Sequence, residues 1–241
     1  MRYFETRWAG WTMAALCLLL AGCTSDLGQS STKSGWPEEI SILALGDSYT
    51  IGESVGEGDR WPVQLAVALR EQGVPVAEPT IIARTGWTTG ELEAAIQRED
   101  PQGRYELVSL LIGVNNQYRG LDVEEYRVQF RALLQRAIDL AGGETGRVIV
   151  LSIPDWGVTP FAASRDGDAI AGEIDRFNRV NRQETERLGA RYVDVTGISR
   201  RAASDGTLIA EDGLHPSGKM YEAWVQLVLP EALAALGRGD S

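Results

Sequence analysis

The sequence predicts an α/β fold, a three-layer α/β/α sandwich around a central five-stranded parallel sheet. Three observations predict it. Apolar runs of strand length recur along the chain, helical patterns separate them, and the runs are mostly unbroken Val, Ile and Leu. Unbroken apolar runs suit strands buried on both faces, as parallel strands are. Strand and helix in strict alternation then require right-handed crossovers. The expected arrangement is flavodoxin-like, with strand order 2-1-3-4-5.

The strand candidates are Ile40–Leu45, a weaker run Val76–Ala83, Leu107–Ile112, Val148–Ile153 and Arg191–Val195. The first helix candidate, Trp61–Gln72, has Pro62 suited to the first helical position. Trp61, Leu65, Ala68 and Leu69 fall on one of its stripes. Thr88–Arg98 opens with Thr88 and carries Glu91 three residues on, a capping-box signature. The clearest helix runs from Asp122, as cap, to Leu140, with Val123, Tyr126, Phe130, Leu133, Ala137 and Ile138 in helical period. Ala169–Leu188 repeats the pattern through Ile170, Ile174, Phe177 and Leu188, with Asp166 and Asp168 as its solvated cap. A last helix follows Pro216, carrying Met220, Trp224, Leu227 and Val228, and Pro230 is expected to bend or end it.

Before this domain the chain reads as a targeting segment. Arg2 and Arg7 precede an apolar run from Trp8 to Leu20, which closes on Leu20-Ala21-Gly22-Cys23. Basic start, short apolar core and small residues before a cut site make a secretory signal and not a span, which needs roughly 20 apolar residues. The closing residues resemble the lipobox of bacterial lipoproteins. That resemblance implies cleavage before Cys23 and acyl chains on Cys23, giving membrane attachment; an ordinary signal peptide with an incidental cysteine is the alternative. The expected organisation is a signal over residues 1–22, a lipidated Cys23 and flexible tether over 23–37, and one domain over 38–241. Thr24 follows Cys23 and no Asp stands there, so export across the inner membrane with attachment to the outer membrane, in a source having two, is the expected localisation.

Composition excludes several kinds of chemistry. Cys17 leaves with the signal and Cys23 is blocked, so the mature domain offers no thiol for disulfides, metal or nucleophilic catalysis. A single histidine excludes metal sites that need two, and no calcium-loop spacing occurs; neither metal nor cofactor is expected. The formal net charge of −11 argues against nucleic acid as a partner. Oligomeric state is open.

Ligands of such sheets sit outside the carboxyl ends of the strands. There the chain places Gly46-Asp47-Ser48-Tyr49, Arg84-Thr85-Gly86-Trp87 and Gly113-Val114-Asn115-Asn116, and the loop before the last helix reads Asp212-Gly213-Leu214-His215-Pro216. These four blocks resemble the SGNH (GDSL) hydrolase family, from about Ile40 to Leu236. The third block departs from the family's Gly-x-Asn-Asp, because Asn116 stands for the final Asp.

The resemblance implies ester hydrolysis through an acyl-serine intermediate. Ser48 is the expected nucleophile and needs a base within hydrogen-bond reach. His215 is the one imidazole in the chain, and Asp212 in the same loop is placed to orient it. The family pattern implies an oxyanion hole from the Ser48 N–H, the Gly86 N–H and the Asn115 amide. Gly-x-Ser-x-Gly is absent, since Thr50 stands two after Ser48, which argues against the α/β-hydrolase fold. Trp87 and Trp156 are candidate pocket residues, beside Tyr49 and Tyr118. Candidate substrates are small-molecule, lipid or glycan esters. A non-catalytic flavodoxin-like binding lipoprotein and an acyltransferase with the same triad are the competing readings.

Overall fold

A computed structural model describes residues 39–237. The signal segment, Cys23 and the tether lie outside the described residues. So do residue 38 and the last four residues.

Five strands, β1 (Ile42–Gly46), β2 (Thr80–Ala83), β3 (Leu107–Leu111), β4 (Val148–Leu151) and β5 (Arg191–Val193), form one parallel sheet in the order β2-β1-β3-β4-β5. The expected order is thus the observed one. The central strands β1, β3 and β4 are buried throughout, whereas β2 and β5 at the edges are only partly so. This is why the runs of β1, β3 and β4 are unbroken in apolar residues while Arg191 and Tyr192 are tolerated in β5.

The strands are shorter than their apolar runs. Ile40 and Val76 pair only through an isolated bridge, and β2 starts at Thr80, after Pro79, which has no N–H to give a ladder. The runs after β4 and β5 turn away from the sheet, and their residues Ile153 and Val195 remain buried.

Helices flank the sheet. α2 (Trp61–Glu71) packs with α8 (Gly218–Ala235), while α3 (Thr89–Glu99), α5 (Val123–Leu140) and α6 (Gly167–Leu188) pack in a row. The capping box of Thr88 and Glu91 forms as expected, and Asp122 and Asp166 accept backbone N–H groups as N-caps of α5 and α6. Pro230 does not end α8, which continues to Ala235; Leu227 faces out, not inward with Trp224 and Val228. Three short helices escape the periodicity: α1 (Ser48–Ile51), α4 (Val114–Tyr118) and α7 (Thr196–Ser199). Each is about one turn, too short to show an amphipathic repeat.

Candidate active site

The strand ends converge as the topology requires. β1 and β3 are adjacent, with Gly46 beside Leu111. A Cβ on Gly46 would lie 2.2 Å from Thr50 Oγ1 and 2.5 Å from the Leu111 carbonyl oxygen. Only glycine lets α1 start this close to β3. Asp47, not Ser48, is the N-cap of α1: its Oδ1 accepts the Tyr49 N–H at 3.1 Å. Ser48 therefore opens the helix, its backbone N–H among the donors a helix start leaves free.

Asp47 is fully buried, and its Oδ2 finds no hydrogen-bond partner among the described residues. Burial pushes its carboxyl up to about 7, against the Tyr49 N–H, which pulls it down.

A cleft of about 200 Å³ opens at these strand ends. Ser48, Gly86, Asn115 and His215 all line it, with Tyr49, Tyr118, Trp156 and Phe161 among its aromatic walls. Gly86 has φ +88°, a conformation that L side chains rarely adopt. Asn115 Nδ2 donates to the Trp87 carbonyl at 2.9 Å, which fixes the amide plane. The neighbouring Asn116 is buried and works in both senses: its Oδ1 accepts the Thr89 N–H at 3.1 Å and its Nδ2 donates to Thr89 Oγ1 at 2.8 Å. A carboxylate there could accept but not donate, which accounts for the amide in place of the acid.

The His215 loop is pinned at both ends. Ala210 N–H donates to the His215 carbonyl at 2.8 Å, and Ser217 N–H to the Leu208 carbonyl at 2.8 Å. Between them Asp212 Oδ1 accepts the Leu214 and His215 N–H groups at 2.9 and 3.0 Å. Its Oδ2 lies 2.6 Å from His215 Nδ1 and accepts Ser54 Oγ–H at 2.8 Å. Partial burial pushes the Asp212 carboxyl up, but the donors from His215, Leu214 and Ser54 outweigh it and hold the group well below the usual carboxylate range. With Nδ1 engaged by a carboxylate, the imidazole presents Nε2 as its free basic atom. His215 is buried, and its ring stands edge-on to Tyr49, centroids 5.8 Å apart.

Of the candidate pocket residues, Trp156 lines the cleft, held by Nε1–H donating to Gln117 Oε1 at 2.8 Å. Trp87 does not; its ring packs against the core and only its carbonyl serves the site, through Asn115. Phe161, unforeseen, takes the wall position instead. Its N–H donates to the Gly213 carbonyl at 3.0 Å, which joins the β4 loop to the His215 loop. The Arg165 guanidinium covers Tyr118, Trp156 and Phe161, 5.1 to 5.5 Å from their centroids. Asp155 caps the turn at Trp156–Val158 and pairs with Arg200 at 2.9 Å, so its carboxylate serves the loop.

Residues 44–223 match the model of the GDSL-like lipase/acylhydrolase family. No curated protein sequence matches the chain. Solved structures that share its fold include a lipase/acylhydrolase from Enterococcus faecalis, 21 % identical over 84 % of this chain and 100 % of that one, with a TM-score of 0.61. A psychrotrophic esterase from Pseudoalteromonas sp. is 17 % identical over 83 % and 100 %, with a TM-score of 0.60. An acetyl xylan esterase from Geobacillus stearothermophilus is 20 % identical over 84 % and 96 %, with a TM-score of 0.57. With its four blocks gathered at one sheet edge, this ester-hydrolysing chain belongs to the GDSL-like lipase/acylhydrolase family.

Proposed function

We propose that the protein hydrolyses short-chain carboxylic esters through an acyl-serine intermediate, with Ser48, His215 and Asp212 as its triad. The observation that carries this reading is the 2.6 Å contact between Asp212 Oδ2 and His215 Nδ1, with Ser48 lining the same cleft as the ring. Ser48 Oγ attacks the ester carbonyl carbon while His215 Nε2 takes the hydroxyl proton. Negative charge moves to the carbonyl oxygen and is met by the N–H groups of Ser48 and Gly86 and the second amide hydrogen of Asn115. The C–O bond then breaks, and the alcohol leaves with the proton from His215. A water, deprotonated by His215, attacks the acyl-serine, releases the carboxylic acid and restores Ser48.

The size of the cleft supports a short acyl group. At about 200 Å³ it falls below the roughly 300–1,000 Å³ of sites for larger ligands. Its aromatic walls suit a small acyl or sugar ester, and the related fold of an acetyl xylan esterase agrees with a glycan ester as substrate. The experiment is nitrophenol release from nitrophenyl acetate, butyrate and palmitate by wild type and Ser48→Ala. Turnover that favours the short esters and vanishes in the variant supports the reading. Turnover that survives in Ser48→Ala removes it, and a preference for palmitate removes the short-chain assignment.

The targeting segment completes the proposal: export, cleavage before Cys23 and acylation of Cys23 would fix the domain to a membrane through its tether. Metabolic labelling with radioactive palmitate, lost in Cys23→Ser, tests this directly.

A further inference from the structure

Helix α1 ends at Ile51, with Gly52 as its left-handed cap. Two residues later Ser54 takes φ +66°, although the helix is already closed. Among the described residues one other non-glycine has positive φ, Asp100, and it has a local reason, since it caps α3 with its N–H on the Ile96 carbonyl. Ser54 caps nothing. A left-handed residue with a side chain costs roughly 1–2 kcal/mol, so such a conformation persists only where its surroundings impose it.

What the conformation achieves is visible on both sides of the turn. Ser54 Oγ–H donates at 2.8 Å to Asp212 Oδ2, the same oxygen that faces His215 Nδ1 at 2.6 Å. The preceding residue, Glu53, accepts a hydrogen bond from the Thr85 hydroxyl, one residue before Gly86. The turn that leaves the Ser48 helix thus grips the His215 loop with one residue and the Gly86 loop with the other.

We propose that Ser54 is a positioning residue: its hydroxyl fixes Asp212 Oδ2 against His215, and a side chain is kept at this turn position, where glycine would be unstrained, because it delivers that hydroxyl. The inference rests on the triad reading above. Asp212 Oδ1 keeps its two backbone donors whatever stands at position 54, so loss of the hydroxyl leaves the carboxylate in place but frees Oδ2 to leave the plane of the imidazole.

Two substitutions in the full-length chain separate positioning from folding. Ser54→Gly removes the hydroxyl and relieves the backbone; its thermal midpoint should equal or exceed wild type. Its kcat on nitrophenyl acetate should still fall, about threefold to tenfold, the worth of one hydrogen bond, with KM unchanged. Ser54→Thr keeps the hydroxyl but puts a β-branched residue at positive φ; it should melt earlier and hold kcat within about twofold of wild type. A kcat loss in Ser54→Gly that Ser54→Thr restores supports the proposal. Wild-type kcat in Ser54→Gly, or a loss that Thr does not restore, overturns it. Ser48→Ala run in parallel distinguishes the two levels: if it still turns over, the triad reading fails first. If it is inactive while Ser54→Gly matches wild type, the role of Ser54 alone is lost.

Discussion

Asn115 Nδ2 donates one hydrogen to the Trp87 carbonyl at 2.9 Å. An amide nitrogen has two, and the first bond fixes where the second points. Because Asn115 lines the cleft with Ser48, that second hydrogen is the donor assigned to the developing oxyanion. Asn115→Ala should therefore lower kcat by about 10²–10³ while KM changes little, since the donor meets charge that exists only in the transition state. Steady-state kinetics decide it: a raised KM with unchanged kcat would place Asn115 in ground-state binding instead.

Asp212→Asn should leave the loop folded. The amide oxygen can still accept the Leu214 and His215 N–H groups that Oδ1 accepts now. Beside His215 Nδ1, however, it offers an amide hydrogen where the ring needs an acceptor, so the wrong tautomer is favoured. On the pattern of such triads kcat should drop about 10³–10⁴-fold with an unchanged thermal midpoint. A variant within tenfold of wild type would show that another group orients the imidazole.

Two glycines at the site should fail in different ways when changed to alanine. At Gly46 the new Cβ would meet Thr50 Oγ1 and the Leu111 carbonyl inside 2.6 Å, so Gly46→Ala should lose stability by about 1–3 kcal/mol or more. At Gly86 nothing lies nearer than the Arg119 guanidinium at 4.0 Å, and the strain comes from φ +88° alone. Gly86→Ala should cost about 1–2 kcal/mol of stability. As the backbone relaxes its N–H turns from the oxyanion, so kcat should fall by at least about tenfold. Melting curves and kcat measured together separate the two outcomes.

The buried Asp47 makes stability depend on pH in a direction opposite to the usual carboxylate. Its folded pKa of about 7 lies above its ordinary value of 3.8, so the folded state holds the proton where the unfolded state has released it. Stability should then fall as pH rises from about 4 to about 7. Asp212, held below its ordinary value, acts the other way and only at pH below that window, where protonation removes its contribution. Asp47→Asn keeps an acceptor for the Tyr49 N–H without the charge. Its stability relative to wild type should rise across the window, by at most about 4 kcal/mol at pH 8. Urea midpoints of both proteins at pH 5 and pH 8 measure this; a constant difference would contradict it.

Much of this site was legible because three short blocks sit where a strand stops and the fourth in the loop entering the last helix. Gly46, Gly86 and Asn115 needed only the strand order to be brought together, and the alternation of strand and helix pointed to that order; His215 arrives from the loop before α8. What escaped depends on geometry that residue type does not encode. Trp87 and Trp156 stand equally close to a block, yet the first packs half-buried against the core and the second lines the cleft. Phe161 reaches the cleft because its N–H is tied to the Gly213 carbonyl, a pairing between distant segments. Ser54 looks like any loop serine until its φ is known. Pro230 marks no end to α8, which runs through it to Ala235.

The central claim is that Ser48 becomes covalently acylated. Intact-mass spectrometry of the protein, quenched in acid during turnover of nitrophenyl acetate and separately after a serine-directed fluorophosphonate, tests it most directly. The expected result is a single acetyl or phosphonyl adduct, mapped to the peptide carrying Ser48 and absent from Ser48→Ala. An unmodified wild-type protein that still releases nitrophenol, or an adduct that maps elsewhere, would contradict the account.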